Sequence, residues 1–186
     1  MARTAAAGTR ERILAAVVPL FYRHGVRAVG MAQVIEAAGC GKNLVYRHFP
    51  GKADLAAAYL EEVRGRRERS ARQAVHEAGD PRNAVLALVG EIAGLVRDPE
   101  FRGCAMRNYL TEFPGEDDAP ARVARDYLTT TRAHLDDLVR RAGGGPGTAD
   151  RIWLVIEGLY ASAGRPDAAR AAEVALTLTA DLLPRP

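Results

Sequence analysis

The chain has 186 residues, 48% hydrophobic and 26% charged, with a formal net charge of +3. This composition describes a globular protein and excludes a disordered or collagen-like one. Two cysteines exclude a disulfide framework, and the longest apolar run, ILAAVVPLF, is too short to span a bilayer. No signal-peptide layout opens the sequence, so the expectation is a soluble cytoplasmic protein with Cys40 and Cys104 reduced and no membrane partner.

The charge is unevenly spread. Residues 1–52 carry eight Lys or Arg against Glu11 and Glu36, and residues 53–186 carry eighteen against twenty-one. A basic module joined to a mildly acidic body points to a polyanion at one end of the molecule. Arginine supplies nearly all the cations; the only lysines, Lys42 and Lys52, lie within the stretch GCGKNLVYRHFPGK at 39–52.

In chain order, almost every segment has helical periodicity. Thr9 is expected to cap a first helix whose Ile13, Leu14, Val17, Leu20 and Phe21 recur on one face until His24-Gly25. Pro19 predicts a kink or a lost hydrogen bond within it. A second helix covers Met31 to Ala38, with Gly39 in the left-handed position that follows it. The third runs from Lys42 to Phe49 and is stopped by Pro50-Gly51; the fourth runs from Lys52 to Ala78 with Asp54 at its positive end. Further helices are expected at 81–97, 102–113, 119–142, 148–163 and 167–183, separated by Gly- and Pro-containing loops. The fold class is all-α, about nine helices, with no hairpin signal or internal repeat.

Residues 31–49 have the spacing of a helix-turn-helix, in which the second helix enters the major groove of DNA. Val45 and Phe49 lie one turn apart and face inward, leaving Lys42, Asn43, Tyr46 and Arg47 on the outer surface. Cations and hydroxyls there suit phosphates, and Asn or apolar groups suit base edges. Gly41 leaves the helix N-terminus open to a phosphate.

Residues 9–60 resemble the N-terminal domain of the TetR family of transcriptional regulators. The resemblance rests on a first helix ending FYRHGV, a second ending EAAG, and YRHFPGKADL leading into the fourth. It implies that Tyr46, His48 and Lys52 contact phosphate, that Phe49 is core, and that Lys42, Asn43 and Leu44 contact bases, with Arg47 also in the interface. Gly30 and Gly41 stand where the family usually has Ser or Thr, and Leu44 replaces a usual Thr. The implied organisation is a DNA-binding domain at 1–51 and a helical ligand-binding and dimerisation domain at 52–186. The implied function is that of a regulator, a repressor by preference, which binds a near-palindromic operator as a homodimer and is released by a small-molecule effector. An activator, a regulator without effector, or an enzyme with an unrecognised site are the alternatives.

RGCAMRNYLTEFPG at 102–115 resembles one subgroup of the family. Cys104, Asn108 and Glu112 are spaced i, i+4, i+8 on the helix expected there, and the resemblance implies that this region lines the effector cavity. The same stripe would also suit a solvated face. Tyr127 and Trp153 are candidate cavity aromatics or core residues. The segments 148–163 (Ile152, Val155, Ile156, Leu159) and 167–183 (Ala171, Val174, Leu178, Leu182) each carry an apolar stripe. An intrachain core and a dimer interface both fit; the resemblance implies the dimer. No nucleophile elbow, Walker loop or zinc-protease motif is present, so no enzyme, cofactor or metal is expected. His134 with Asp136 and Asp137 reads as a polar surface rather than a metal site, and Arg64, Arg66, Arg67, Arg69 and Arg72 as a solvated face.

Overall fold

The computed structural model describes residues 2–185, with side chains from Gly8 onward. The described residues form nine helices and no strand: α1 (Ala2–His24), α2 (Met31–Ala38), α3 (Lys42–His48), α4 (Lys52–Ala78), α5 (Pro81–Val96), α6 (Ala105–Glu112), α7 (Ala119–Arg141), α8 (Pro146–Ala161) and α9 (Ala168–Leu182). None is long and apolar enough to cross a membrane.

Two expectations are corrected. The first helix begins well before Thr9, which is buried inside α1 rather than capping it. Alanines at 5–7 are strong helix formers and carry the helix upstream. α1 continues through Pro19, where the ring leaves no N–H to donate, so the hydrogen bond expected to be lost there is lost. α6 starts at Ala105 instead of Arg102, because Gly103 takes a φ of 82° that a helix does not allow.

The chain divides into two compact units: residues 1–65 with 105–127, and residues 66–104 with 128–186. These do not follow a boundary at 51/52, since the first unit also takes the opening of α4, all of α6 and the start of α7.

In the first unit, α1 packs on α2 and buries Ile13, Leu14, Val17, Val18 and Phe21. Phe21 meets Tyr59 of α4 edge-on, with ring centres 5.7 Å apart. Val26 and Val29, in the turn between α1 and α2, are buried beside them in sequence. Asp118 organises the start of α7. Its Oδ1 accepts the Ala121 N–H at 2.9 Å, and its Oδ2 accepts the Tyr109 hydroxyl at 2.9 Å. Burial and this carboxylate push the Tyr109 phenol well above its ordinary value.

Gly25 is glycine for two reasons. Its φ is +84°, and a Cβ there would lie 2.8 Å from Glu112 Oε1. Gly39 has φ +58° with nothing in the way. Gly39→Ala should therefore cost only the backbone term, about 1–2 kcal/mol, whereas Gly25→Ala should cost that and also displace Glu112. Urea denaturation of the two variants checks this; equal losses would mean that the Glu112 contact contributes nothing.

The second unit is built on α5, α8 and α9, which pack on one another, with Leu135, Leu138 and Val139 of α7 added to the same core. Asp80 caps α5 by accepting the Asn83 N–H at 2.9 Å, and Pro81 takes the first helical position, where no N–H is needed. Arg82 donates to the carbonyls of Ala180 and Pro184, each at 3.2 Å, and so ties α5 to the end of α9. Arg67 and Ser70 both donate to Glu91 Oε1, Arg67 at 2.9 Å, and Arg72 pairs with Glu68 at 3.7 Å. Arg67 and Arg72 of the α4 run are thus engaged by carboxylates. Asp136 and Asp137 are likewise paired, with Arg132 and with Arg140 and Arg141.

Of the two readings open for the α8 stripe, the intrachain core is the one observed. Ile152, Ile156 and Leu159 are buried in the core of their own chain, because α8 packs on both α5 and α9. On α9, Ala168, Ala172, Ala175 and Thr179 face inward, which turns Val174 and Leu178 outward.

Candidate nucleic-acid interface

α2 and α3 are joined by Gly39-Cys40-Gly41. The Gly39 N–H donates to the Glu36 carbonyl at 3.0 Å, closing α2 in the left-handed conformation. Gly41 is extended, and its carbonyl accepts the N–H groups of Leu44 and Val45, starting α3 without a side-chain cap. At Gly30, which has no hydroxyl to accept the Gln33 N–H, only the reciprocal half of a capping box is present: the Gly30 N–H donates to Gln33 Oε1 at 2.8 Å.

α3 is anchored by Val45 and Phe49, both buried. The Phe49 N–H closes the helix on the Val45 carbonyl at 2.9 Å, and Pro50 prevents continuation. With this face fixed, Lys42, Asn43 and Arg47 are exposed, Tyr46 is 37% exposed, and Leu44 and His48 are half-buried. The Lys42 ammonium lies 5.8 Å from the centre of the Tyr46 ring, so cation and aromatic share one surface. Residues at 42, 43, 46 and 47 therefore form a continuous cationic and hydrogen-bonding strip.

Lys52 opens α4 and is half-buried, with Nζ donating to the Arg27 carbonyl at 3.1 Å. Burial lowers its pKa from the ordinary lysine value; the charge of Glu112 offsets part of this, and Arg27 adds to it. Arg10 of α1 places its guanidinium over the Phe49 ring, 5.0 Å from the centre. Neither Arg10 nor Arg27 stood out from the sequence pattern. Only packing brings Arg10 to the end of α3, or residue 27 to residue 112.

Residues 13–59 match the sequence profile of the bacterial regulatory proteins, tetR family. These residues form a TetR-type DNA-binding domain.

The matched residues run from the buried stripe of α1 to the Tyr59 that meets Phe21. Among curated TetR-like relatives, the HTH-type transcriptional regulator LmrA of Bacillus subtilis is 30% identical over 86 residues, 46% of this chain and 46% of its own. The HTH-type transcriptional activator FasR of Mycolicibacterium smegmatis is 27% identical over 157 residues, 82% of this chain and 67% of its own. The chain thus spans about half the length of the first relative and two-thirds of the second. A TetR-family transcriptional regulator from Streptomyces coelicolor shares the fold, with a TM-score of 0.89 at 24% identity over 95% of this chain and 94% of that one.

The residues expected at a TetR-type effector site fall in both compact units. Asn108, Glu112 and Tyr127 belong to the first compact unit, Cys104 and Trp153 to the second. Cys104 is buried and precedes α6, so the i, i+4, i+8 stripe does not lie on one helix. Tyr127 is buried, Asn108 half-buried, and Trp153 half-buried under the Arg132 guanidinium at 5.7 Å. Glu112 has a partner within the protein. Its Oε2 accepts the Arg27 N–H at 2.7 Å.

Proposed function

We propose that this chain is a transcriptional repressor that binds a near-palindromic operator as a homodimer and leaves it when a small molecule binds. The observation that carries this reading is the exposed strip of Lys42, Asn43, Tyr46 and Arg47, held outward by buried Val45 and Phe49 in a TetR-type helix-turn-helix. Lys42, Asn43 and Leu44 address base edges; Tyr46, Arg47, His48 and Lys52 address phosphates. No enzymatic turnover, cofactor or metal belongs to this reading, and its site of action is the cytoplasm, where the DNA is.

Dimerisation is supported by the second unit. Leu154 on α8 is 68% exposed, and Val174 and Leu178 on α9 are 47% and 46% exposed. A second copy of α8 and α9 would cover these side chains in a four-helix interface. Effector release is carried by the family resemblance alone. An activator is the second reading, favoured by the likeness to FasR over 82% of the chain.

Genomic footprinting followed by binding titrations on the recovered promoter tests the reading. Salt-sensitive, sequence-selective binding is the expected result; absence of any selective site would sink it. Reporter output from that promoter separates repressor from activator. On the same fragment, Lys42→Ala should relax sequence preference at one position of each half-site. Lys52→Ala should weaken all sequences alike and flatten the salt dependence by about one ion. Identical effects on affinity and preference would refute this division between base and phosphate contacts.

A further inference from the structure

Arg27, in the turn between α1 and α2, is held at both ends of its backbone. Its N–H donates to Glu112 Oε2 at 2.7 Å, and its carbonyl accepts from Lys52 Nζ at 3.1 Å. One residue thereby gathers the carboxylate that ends α6 and the lysine that opens α4. The Arg27 side chain turns elsewhere, its guanidinium 4.8 Å from the centre of the Phe113 ring. A cleft of about 350 Å³ borders the group, lined among others by Arg27, Lys52, Tyr109 and Phe113. The glycine at position 25 leaves the space that Glu112 Oε1 occupies.

We propose that Glu112 is an intramolecular counter-anion to the reading head, competing with a DNA phosphate for Lys52 and so lowering affinity for DNA. The inference rests on the DNA-binding reading above and assigns one residue a role in it. Lys52 has three N–H donors and no acceptor, and the Arg27 carbonyl takes one. A phosphate arriving at the head of α4 can take the remaining donors, but it must compete with the field of the nearby carboxylate for the ammonium charge. The coupling acts on electrostatic affinity, which is common to all DNA sequences, and leaves base reading by α3 untouched.

Glu112→Gln is the informative variant, because it keeps an oxygen to accept the Arg27 N–H and removes only the charge. On a random-sequence duplex at low salt, the full-length variant should bind roughly two- to fivefold more tightly than the parent. Its log–log salt dependence should steepen by up to about one ion. In a Lys52→Gln background the same change should have no effect. A second readout needs no DNA. Because the chain has only two lysines, reductive methylation with a carbon-13 label gives two side-chain signals, that of Lys52 identified by its loss in Lys52→Arg. Glu112→Gln should lower the titration midpoint of Lys52 and leave that of Lys42 in place. Unchanged or weaker DNA binding, a gain that persists without Lys52, or an unmoved Lys52 midpoint would overturn the proposal. Absence of salt-dependent binding by the parent would remove the regulator reading and this inference together. Normal parental binding with no response to Glu112→Gln removes the inference alone.

Discussion

Phe49→Ala is expected to destabilise the first compact unit by about 3–5 kcal/mol, enough to remove its cooperative melting and with it all DNA binding. Phe49 is buried, closes α3 on Val45, and carries the Arg10 guanidinium on its ring, so truncation opens a cavity at the joint that aims the helix. Tyr46→Ala is the matched contrast. That side chain is 37% exposed and its removal should leave stability within about 0.5 kcal/mol while abolishing selective binding. Circular-dichroism melting and fluorescence anisotropy on the footprinted promoter separate the two outcomes. If both variants lost the same stability, the inward and outward faces of α3 would be wrongly assigned.

Leu178→Glu carries the second large effect. In one chain this side chain is 46% exposed, so a carboxylate there is solvated and the fold should survive. Buried against a second copy, two unpaired carboxylates would each cost several kcal/mol, and the dimer should dissociate. Loss of the second reading head then removes the effective-concentration advantage of a two-headed ligand, so operator affinity should fall by roughly 100-fold or more. Sedimentation velocity and the same anisotropy titration measure both. A variant that stays dimeric would move the interface away from α9; a monomeric parent that still binds tightly would remove the dimer from the proposal.

The reach of the sequence differs between the two stripes of α8 and α9. On α9, the outward Val174 and Leu178 belong to the stripe expected from periodicity. On α8, Ile152, Ile156 and Leu159 looked equally suited to an interface and are core instead, while the exposed residue is Leu154. Periodicity finds an apolar face; it does not say whether the surface that covers it belongs to the same chain. The amphipathic stripe around α6 has the same ambiguity. Glu112 looked like a cavity-lining or solvated carboxylate, and its Oε2 accepts a backbone N–H 85 residues earlier.

The sequence by itself determined what depends on near neighbours. The helix stops at Gly39 and Pro50, the turn between α2 and α3, the inward placement of Val45 and Phe49, and the outward strip of Lys42, Asn43, Tyr46 and Arg47 all follow from backbone sterics and the 3.6-residue repeat. Those same residues carry the TetR resemblance. Tertiary structure decided what depends on distant segments meeting: the grouping of α6 with the reading head, the Glu112–Arg27–Lys52 contact, and the burial of the α8 stripe. Such contacts are fixed by packing between helices far apart in the chain, and no local pattern of residue types encodes which surfaces come together.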